Sequence, residues 1–570
     1  MKKILIVLSS LFLLASCGAL SQNGSSFSEF KSESSIESIE STSSSESSTS
    51  SENSGSSEST KTSESSEKTS SSESSESSES SESSIEGDAR TFSIYSINDF
   101  HGSIKSNGSE AGIAKIGTYF KEVKDAGDAV LINAGDMFQG SILSNSNRGK
   151  CLTDIMNYIQ FDSFTIGNHE FDWGQNCIKD VRQRKNAVTN YQTPFLGANI
   201  YKYDNTYNTT GEFASELCGK YTISELDNGL KIGIIGAIGP DQWTSITSQN
   251  VDDLIFLDYS SIVKELAEEL IDDQGCDVVI LSTHDPQSNV DSSITNYIDF
   301  ASSKRYVDAI FCAHSHDAES KVVNGVPFLQ AGSNGKYYGE MEMSVSASGV
   351  VSCSDYQYID ATSISVSSTD SGITSIITQY ENEIAGVAEE SLAYVSGNMY
   401  SNNQIPCLVT DAIGDAAKAQ GYEIDYAVCN SARSSIYSGY LTYEKLFKAI
   451  PFDNEIYILD VTASSLYNEL VTYGSNNSFT RYDTSAFDNS KTYRIAVIDY
   501  LALHKGTNRK YNYFPNATIV GKLTKLGYDI YNYRDITREY ILSKYSSGID
   551  PTYFNKSQDK HNSSMLDQNI

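Results

Sequence analysis

Histidine is scarce in this chain, with seven among 570 residues. Cysteine is thin as well: nine residues and no C-x-x-C pair, which excludes a zinc knuckle. Beyond the first residues no apolar run reaches the roughly 18 residues that a membrane helix needs, so the chain is not expected to thread a bilayer. Positive charge is short too, with 41 Lys and Arg against 74 Asp and Glu and a formal charge of -33. An acidic body argues against nonspecific binding of nucleic-acid polymers. It also repels a phosphate ligand unless positive charge is gathered locally.

The histidines that are present are not scattered. Five of them stand in short motifs with an acid or amide at the end of apolar runs: Asp99-Phe100-His101, Gly135-Asp136, Gly167-Asn168-His169-Glu170, Thr283-His284 and His314-Ser315-His316. Two Asp, one Asn and five His suffice to hold two metal ions and leave one imidazole free. Such residues suit a borderline divalent ion, and one carboxylate can bridge two ions. Asp136, at a strand end before a tight turn, fits the bridge. The spacing in Asp99-x-His101 and His314-x-His316 predicts side chains on one face of an extended segment, able to chelate one ion or serve adjacent ones. A pair of metals is a standard device for attack on a phosphate ester.

The first residues read as a secretory leader. Lys2 and Lys3 precede an apolar run, Ile4 to Ala15, too short to span a bilayer. Leu14-Ala15-Ser16-Cys17 resembles a bacterial lipobox, which implies a signal peptide over 1–16, lipid on Cys17 and a membrane-anchored protein on the outer face of the cytoplasmic membrane. Residues 17–88 are mostly Ser and Glu and are expected to be a disordered tether. Its reach is roughly 45 Å as a flexible coil. Without Cys17, eight cysteines remain, from Cys151 to Cys429; disulfides and buried thiols both stay open, with Cys312 inside an apolar run.

From Thr91 short β-rich runs alternate with helical patterns, predicting an α/β layered domain over 91–362. The runs are Phe92–Ile97, Ala129–Asn133, Ser163–Ile166, Lys231–Ile238, Asp277–Ser282 and Ala309–Cys312. Five of the six lead into a histidine or carboxylate motif, which places the ligands on one edge of one sheet. Ser261–Ile271 predicts a covering helix. Residues 363–394 read as a linker with a helix near Ile373–Glu383. A second domain spans 395–547 with a helix at Thr410–Ala419, and a polar tail over 548–570 is expected to be loose from Asn555.

The segments Ile97 to Gly102, Ala134 to Ser141 and Gly167 to Gly174 resemble the 5'-nucleotidase family of calcineurin-like metallophosphoesterases, which includes bacterial UDP-sugar hydrolases. Leu329 to Lys336 fits as well, and the resemblance covers nearly all of Thr91 to Ile498. It implies a four-layer αββα catalytic domain and a smaller α+β C-terminal domain that binds substrate. It implies that Asp99, His101, Asp136 and His316 hold one metal and that Asp136, Asn168, His284 and His314 hold the other. The ions would be zinc, manganese or similar, with metal-activated hydroxide as nucleophile. His169 would be the free imidazole, oriented by Asp172 and able to stabilise charge on the phosphoryl oxygens. In the C-terminal domain Arg433 would pair with phosphate, Phe452 and Tyr500 would stack on a nucleobase and Asn454 would bond its edge. The family's domain rotation would place a hinge near Ile373–Glu383.

Three departures stand out. Ala313 occupies a usual glycine position before His314. The family's Gly-Gly-Asp-Gly loop reads Leu503-His504-Lys505-Gly506-Thr507-Asn508, and its additional arginines are absent from Ser396 to Gln404. The expected activity is hydrolysis of nucleotides to nucleoside and phosphate. The alternatives are the same chemistry on 2',3'-cyclic nucleotides, UDP-sugars or another phosphate ester, and a surface lipoprotein that binds ligands without turnover.

Overall fold

Two six-stranded sheets packed face to face build the part of the molecule that carries the motifs. The computed structural model describes residues 89–570 apart from 205, 207, 299–303, 473–476, 507–512, 529, 564–565 and 567–570. The leader, Cys17 and the tether lie outside the described residues.

The first sheet runs, in order, Val351–Asp360, Tyr337–Val345, Arg90–Ile97, Ala129–Asn133, Ser163–Thr165 and Phe195–Leu196. Its last four strands are parallel and its first two pair antiparallel. The second runs Ala318–Val323, Val326–Ala331, Ala309–Phe311, Val278–His284, Lys231–Ile238 and Tyr221–Glu225, with four parallel strands at its centre. Strands buried on both faces read as continuous apolar runs, which is why Ala129–Asn133 and Lys231–Ile238 are legible in the sequence to the residue. Alternate residues split between layers. Phe92 and Ile94 meet Ile232, Ile234, Val278 and Ile280 between the sheets. Tyr95 and Ile97 point the other way, into a core shared with Ile113, Ile116, Phe120 and Ile155 of helices Ile113–Asp125 and Lys150–Ile159. Helix Ser260–Glu268 packs Val263 and Leu266 onto the outer face of the second sheet. The result is the αββα order.

The parallel strands of both sheets end on the same side. Ile97, Asn133 and Thr165 close strands of the first sheet; His284 and Phe311 close strands of the second. Thr165 Oγ1 donates to Ser282 Oγ across the sheets at 2.7 Å. The expectation of one edge of one sheet is therefore corrected: the ligands come from two facing sheets. Periodicity cannot distinguish these arrangements, because both produce apolar runs with polar ends.

Helix Ser371–Glu383 is capped by Asp370, which accepts from the Gly372 and Ile373 amides. Its buried Ile373, Ile377 and Tyr380 belong to the core of the first sheet, and Tyr380 donates to Asp154 at 2.7 Å. The chain passes to the second domain only after this helix. That domain has a five-stranded sheet in the order Asn477–Arg481, Tyr426–Asn430, Thr492–Ile498, Ile456–Thr462 and Thr518–Lys522, with helices Gln404–Ala419 and Tyr533–Lys544. The first of these helices starts before Thr410 and contains Pro406 in its first turn, where an amide N–H has no intrahelical partner to lose. The chain end is not loose throughout: Phe554, His561 and Leu566 are buried, and His561 Nδ1 donates to the Phe479 carbonyl at 2.9 Å. All eight described cysteines are free thiols.

One buried acid makes a testable contribution. Asp308 is buried, accepts from the Val279 amide at 3.0 Å, and has its pKa pushed up to about 7 by burial. The folded state then binds this proton more tightly than the unfolded chain. The contribution to stability falls as pH rises from about 4 to about 7 and is flat above that. Asp308→Asn mimics the protonated acid. Its gain over the wild type should grow across that window to on the order of 4 kcal/mol. Urea midpoints at pH 4.5 and pH 8 test this; an equal difference at both would refute it.

Candidate metal centre and substrate cavity

Each ligand motif sits where a strand gives way to a tight turn. Five of the candidate ligands are non-glycine residues in the left-handed region: Asp99 (φ 46°), His101 (49°), Asp136 (54°), His314 (74°) and His316 (63°). Each such conformation costs roughly 1–2 kcal/mol, so their concentration here means that packing imposes the shape. The extended geometry predicted for the two x-spaced pairs is thus corrected. The pairs turn sharply, and His314 and His316 point to different neighbours.

Asp99, His101 and His316 form one group whose ligand atoms lie within 4.8 Å of one another; Asp136, His284 and His314 form a second. Asp136 also meets His101 and His169 in a third. It therefore stands between the two clusters. Glycine makes its turn possible: a Cβ on Gly135 would lie 2.7 Å from His284 Nδ1, and one on Gly167 would lie 2.3 Å from Asp136 Oδ1. Glu170 holds the turn, accepting from the amides of Gly167 (2.8 Å), Asp136 (3.0 Å) and Met137 (2.9 Å). This role of Glu170 is absent from the sequence reading, although the acid stands inside the quoted motif.

The donor atoms fit divalent cations. His101 donates Nδ1–H to the Gln139 carbonyl at 3.1 Å, leaving Nε2 as a lone pair 2.9 Å from His316 Nε2. Burial holds His101 well below the usual imidazole range and, with neighbouring cationic groups, takes His314 and His316 down to about 4. They are neutral, as ligands must be. Asn168 Oδ1 lies 3.0 Å from His314 Nδ1 and 3.2 Å from His284 Nε2. Burial opposes charge on His284, but Asp136 at 3.2 Å outweighs it and lifts the pKa to about 10. A cation would displace that proton. Asp136 is held well below the carboxylate range, because His284 and His169 together overcome its burial. Asp99 is raised by burial, and its oxygens accept from Asn98 Nδ2 and the His314 amide.

His169 sits beside this centre with Nδ1 2.9 Å from Asp172 Oδ2. Burial again opposes the charge, but Asp172 and Asp136 raise the imidazole to about 9. A cavity of about 570 Å³ opens here, lined by Asn168, His169, Asp172 and His314 on one side and by Arg433, Phe452, Asn454 and Tyr500 on the other. Arg433 Nη2 reaches to 3.4 Å from His101 Nε2. The Phe452 ring stacks on His169 at 5.7 Å and 24°. Asn454 is buried in the cavity wall two residues further on. Every predicted site residue in the described chain is thus brought to one place.

The cavity also contains residues the sequence reading passed over. Arg148 and Trp173 line it from the catalytic domain, and Asp453 from the second. Gln139 lines it too, with its side-chain nitrogen buried and unpartnered among the described residues. His504 and Lys505, in the stretch that stands where the family has Gly-Gly-Asp-Gly, do not bring spare positive charge to the cavity. His504 is buried against Tyr500 and Tyr513, with burial lowering its pKa, and Lys505 donates to Asp252 at 2.7 Å.

Facing mixed sheets with His, Asp and Asn at the strand ends define a metallophosphoesterase domain, and residues 92–318 match the family model "Calcineurin-like phosphoesterase". Residues 383–486 match "5'-nucleotidase, C-terminal domain". The chain belongs to the calcineurin-like phosphoesterases of 5'-nucleotidase type. It is 24% identical over 405 residues to Endonuclease YhcR of Bacillus subtilis, covering 65% of this chain and 32% of that protein. It is 24% identical over 485 residues to Protein UshA of Yersinia enterocolitica, covering 72% and 85%. The chain thus spans about a third of the length of the first relative. The structure of a 5'-nucleotidase precursor from Thermus thermophilus shares the fold at a TM-score of 0.62 and 18% identity, over 81% of this chain and 97% of that one.

Proposed function

We propose that the protein is a dinuclear-metal phosphohydrolase that releases phosphate from nucleotides. The observation that carries this is the Asp136-centred double cluster facing Arg433 and an aromatic-lined cavity. Two divalent cations, when bound, would polarise the phosphoryl oxygens and activate water. Asp99, His101, Asp136 and His316 would hold one; Asp136, Asn168, His284 and His314 the other. Arg433 offers a planar guanidinium to the phosphate. His169, kept protonated by Asp172, presents positive charge where the leaving oxygen becomes negative. Phe452, Tyr500 and Asn454 supply stacking faces and an amide for a base.

A second reading keeps this chemistry and changes the ester. It is favoured by the spent charge of Lys505 and the buried, neutral His504 where the family has its Gly-Gly-Asp-Gly loop. The name endonuclease borne by one relative points to phosphodiesters. Turnover of AMP and a sugar phosphate, read as released phosphate, of 2',3'-cyclic AMP, read as the ring-opened monophosphate, and of UDP-glucose, read as UMP and glucose 1-phosphate, measured after metal stripping and after reconstitution with zinc or manganese, separates the readings. Metal-dependent AMP turnover supports the first. Turnover of no ester with metals bound would overturn both. We also propose that lipid on Cys17 anchors the protein outside the cell. Cys17→Ser should move it from the membrane fraction to the medium; retention at the membrane would refute the anchor.

A further inference from the structure

The loop Ile450 to Asn454 carries Phe452 and Asn454 to the cavity with almost no regular structure of its own. Its shape is imposed from the second domain by one buried arginine. Arg534 is 4% exposed, and its guanidinium lies over the Phe447 ring at 3.8 Å. Nη1 donates to three successive carbonyls, Ile450 (3.3 Å), Pro451 (2.9 Å) and Phe452 (2.9 Å). Nη2 donates to Asp453 Oδ1 at 2.5 Å, and Nε to the Tyr443 hydroxyl at 3.3 Å. The other oxygen of Asp453 accepts from Trp173 Nε1 at 3.3 Å. Trp173 follows Asp172, the partner of His169, and Phe452 stacks on His169 itself.

We propose that Arg534 is a positioning residue that sets the register between the base-binding loop and the His169–Asp172 pair. The inference rests on the nucleotide reading of the cavity given above. A buried arginine with only a structural role needs partners for its donors, but nothing requires that they be the backbone of the loop that lines the cavity. Here three consecutive carbonyls converge on one guanidinium nitrogen, which fixes the direction of the Phe452 ring. The carboxylate between Arg534 and Trp173 carries that constraint to the catalytic domain. A lysine cannot substitute, because its three donors radiate from one point and cannot reach three carbonyls and a carboxylate together.

The test compares the wild type with Arg534→Lys and with Asp453→Asn, which keeps the shape of the loop and removes its charge. AMP is one substrate; glycerol 2-phosphate, with no ring to stack, is the other. Positioning predicts a KM for AMP at least roughly tenfold higher in Arg534→Lys and about threefold higher in Asp453→Asn, with turnover of glycerol 2-phosphate by Arg534→Lys within about twofold of wild type. A parallel loss on both substrates, or no change on either, overturns the proposal. Adenosine binding read by Trp173 emission needs no turnover. Weaker adenosine binding in Arg534→Lys supports the positioning role even in protein that fails to hydrolyse AMP. Unchanged affinity, or no adenosine binding by the wild type, overturns it.

Discussion

Asp136→Ala is expected to lower phosphate release by at least ~10⁴-fold, because it removes the carboxylate that groups with His284 and His314 and also with His101, and so stands between the two ligand clusters. The loss should appear in kcat and in metal content together. Asp136 is buried, its Oδ1 receives the His169 amide at 2.8 Å, and Oδ2 faces His284 at 3.2 Å. Without it, the backbone amide that starts the His169 turn loses its acceptor. His284, raised to about 10 by this carboxylate, loses the charge that balances it. Asp136→Asn keeps the volume and one acceptor, so it should fold while taking up less metal. Elemental analysis beside a steady-state assay checks both variants. Wild-type turnover in Asp136→Ala would sink the dinuclear reading outright.

The second large effect is at His169. His169→Ala should cost about 10²–10⁴-fold in kcat, the range for a positioned acid or charge stabiliser. Unlike the Asp136 variant, it should leave metal content near wild type, since the two clusters retain their ligands. The imidazole must be protonated to act. Burial works against that charge, and Asp172 and Asp136 overcome it to put the pKa at about 9. The wild-type kcat profile should therefore fall on its alkaline side. Asp172→Asn removes the largest supporting charge, so the alkaline limb should move to lower pH; bound cations would add to that shift in both proteins. An unmoved limb in Asp172→Asn would separate His169 from the rate.

Much of the catalytic half is legible because its signals are local. The strands Ala129–Asn133 and Lys231–Ile238 are apolar apart from Asn133 and Lys231 at their ends, and the turns after the motif strands carry ligand-type residues next to glycine. The strand Tyr337–Val345 is missing from the sequence reading, yet Met341, Met343 and Val345 alternate with Glu340, Glu342 and Ser344, a period-2 signal that was there to read. The early start of helix Gln404–Ala419 is hidden by Pro406, which argues against a helix except in its first turn. Arg534 carries no pattern at all, and Glu170, though inside a motif, carries nothing that marks its role. Each looks like a surface charge until its backbone partners are known.

By itself the sequence determined which side chains could bind cations and where turns interrupt strands, because ligand chemistry and turn strain belong to a few adjacent residues. It also determined the strong acidity that makes local positive charge necessary for a phosphate ligand. Only the tertiary structure decided that the ligands arrive from two sheets, that His101 meets His316 from 215 residues away, and that Trp173 meets Asp453 from 280. Those contacts follow from how buried faces pack, and residue spacing along a chain holds no record of which faces meet.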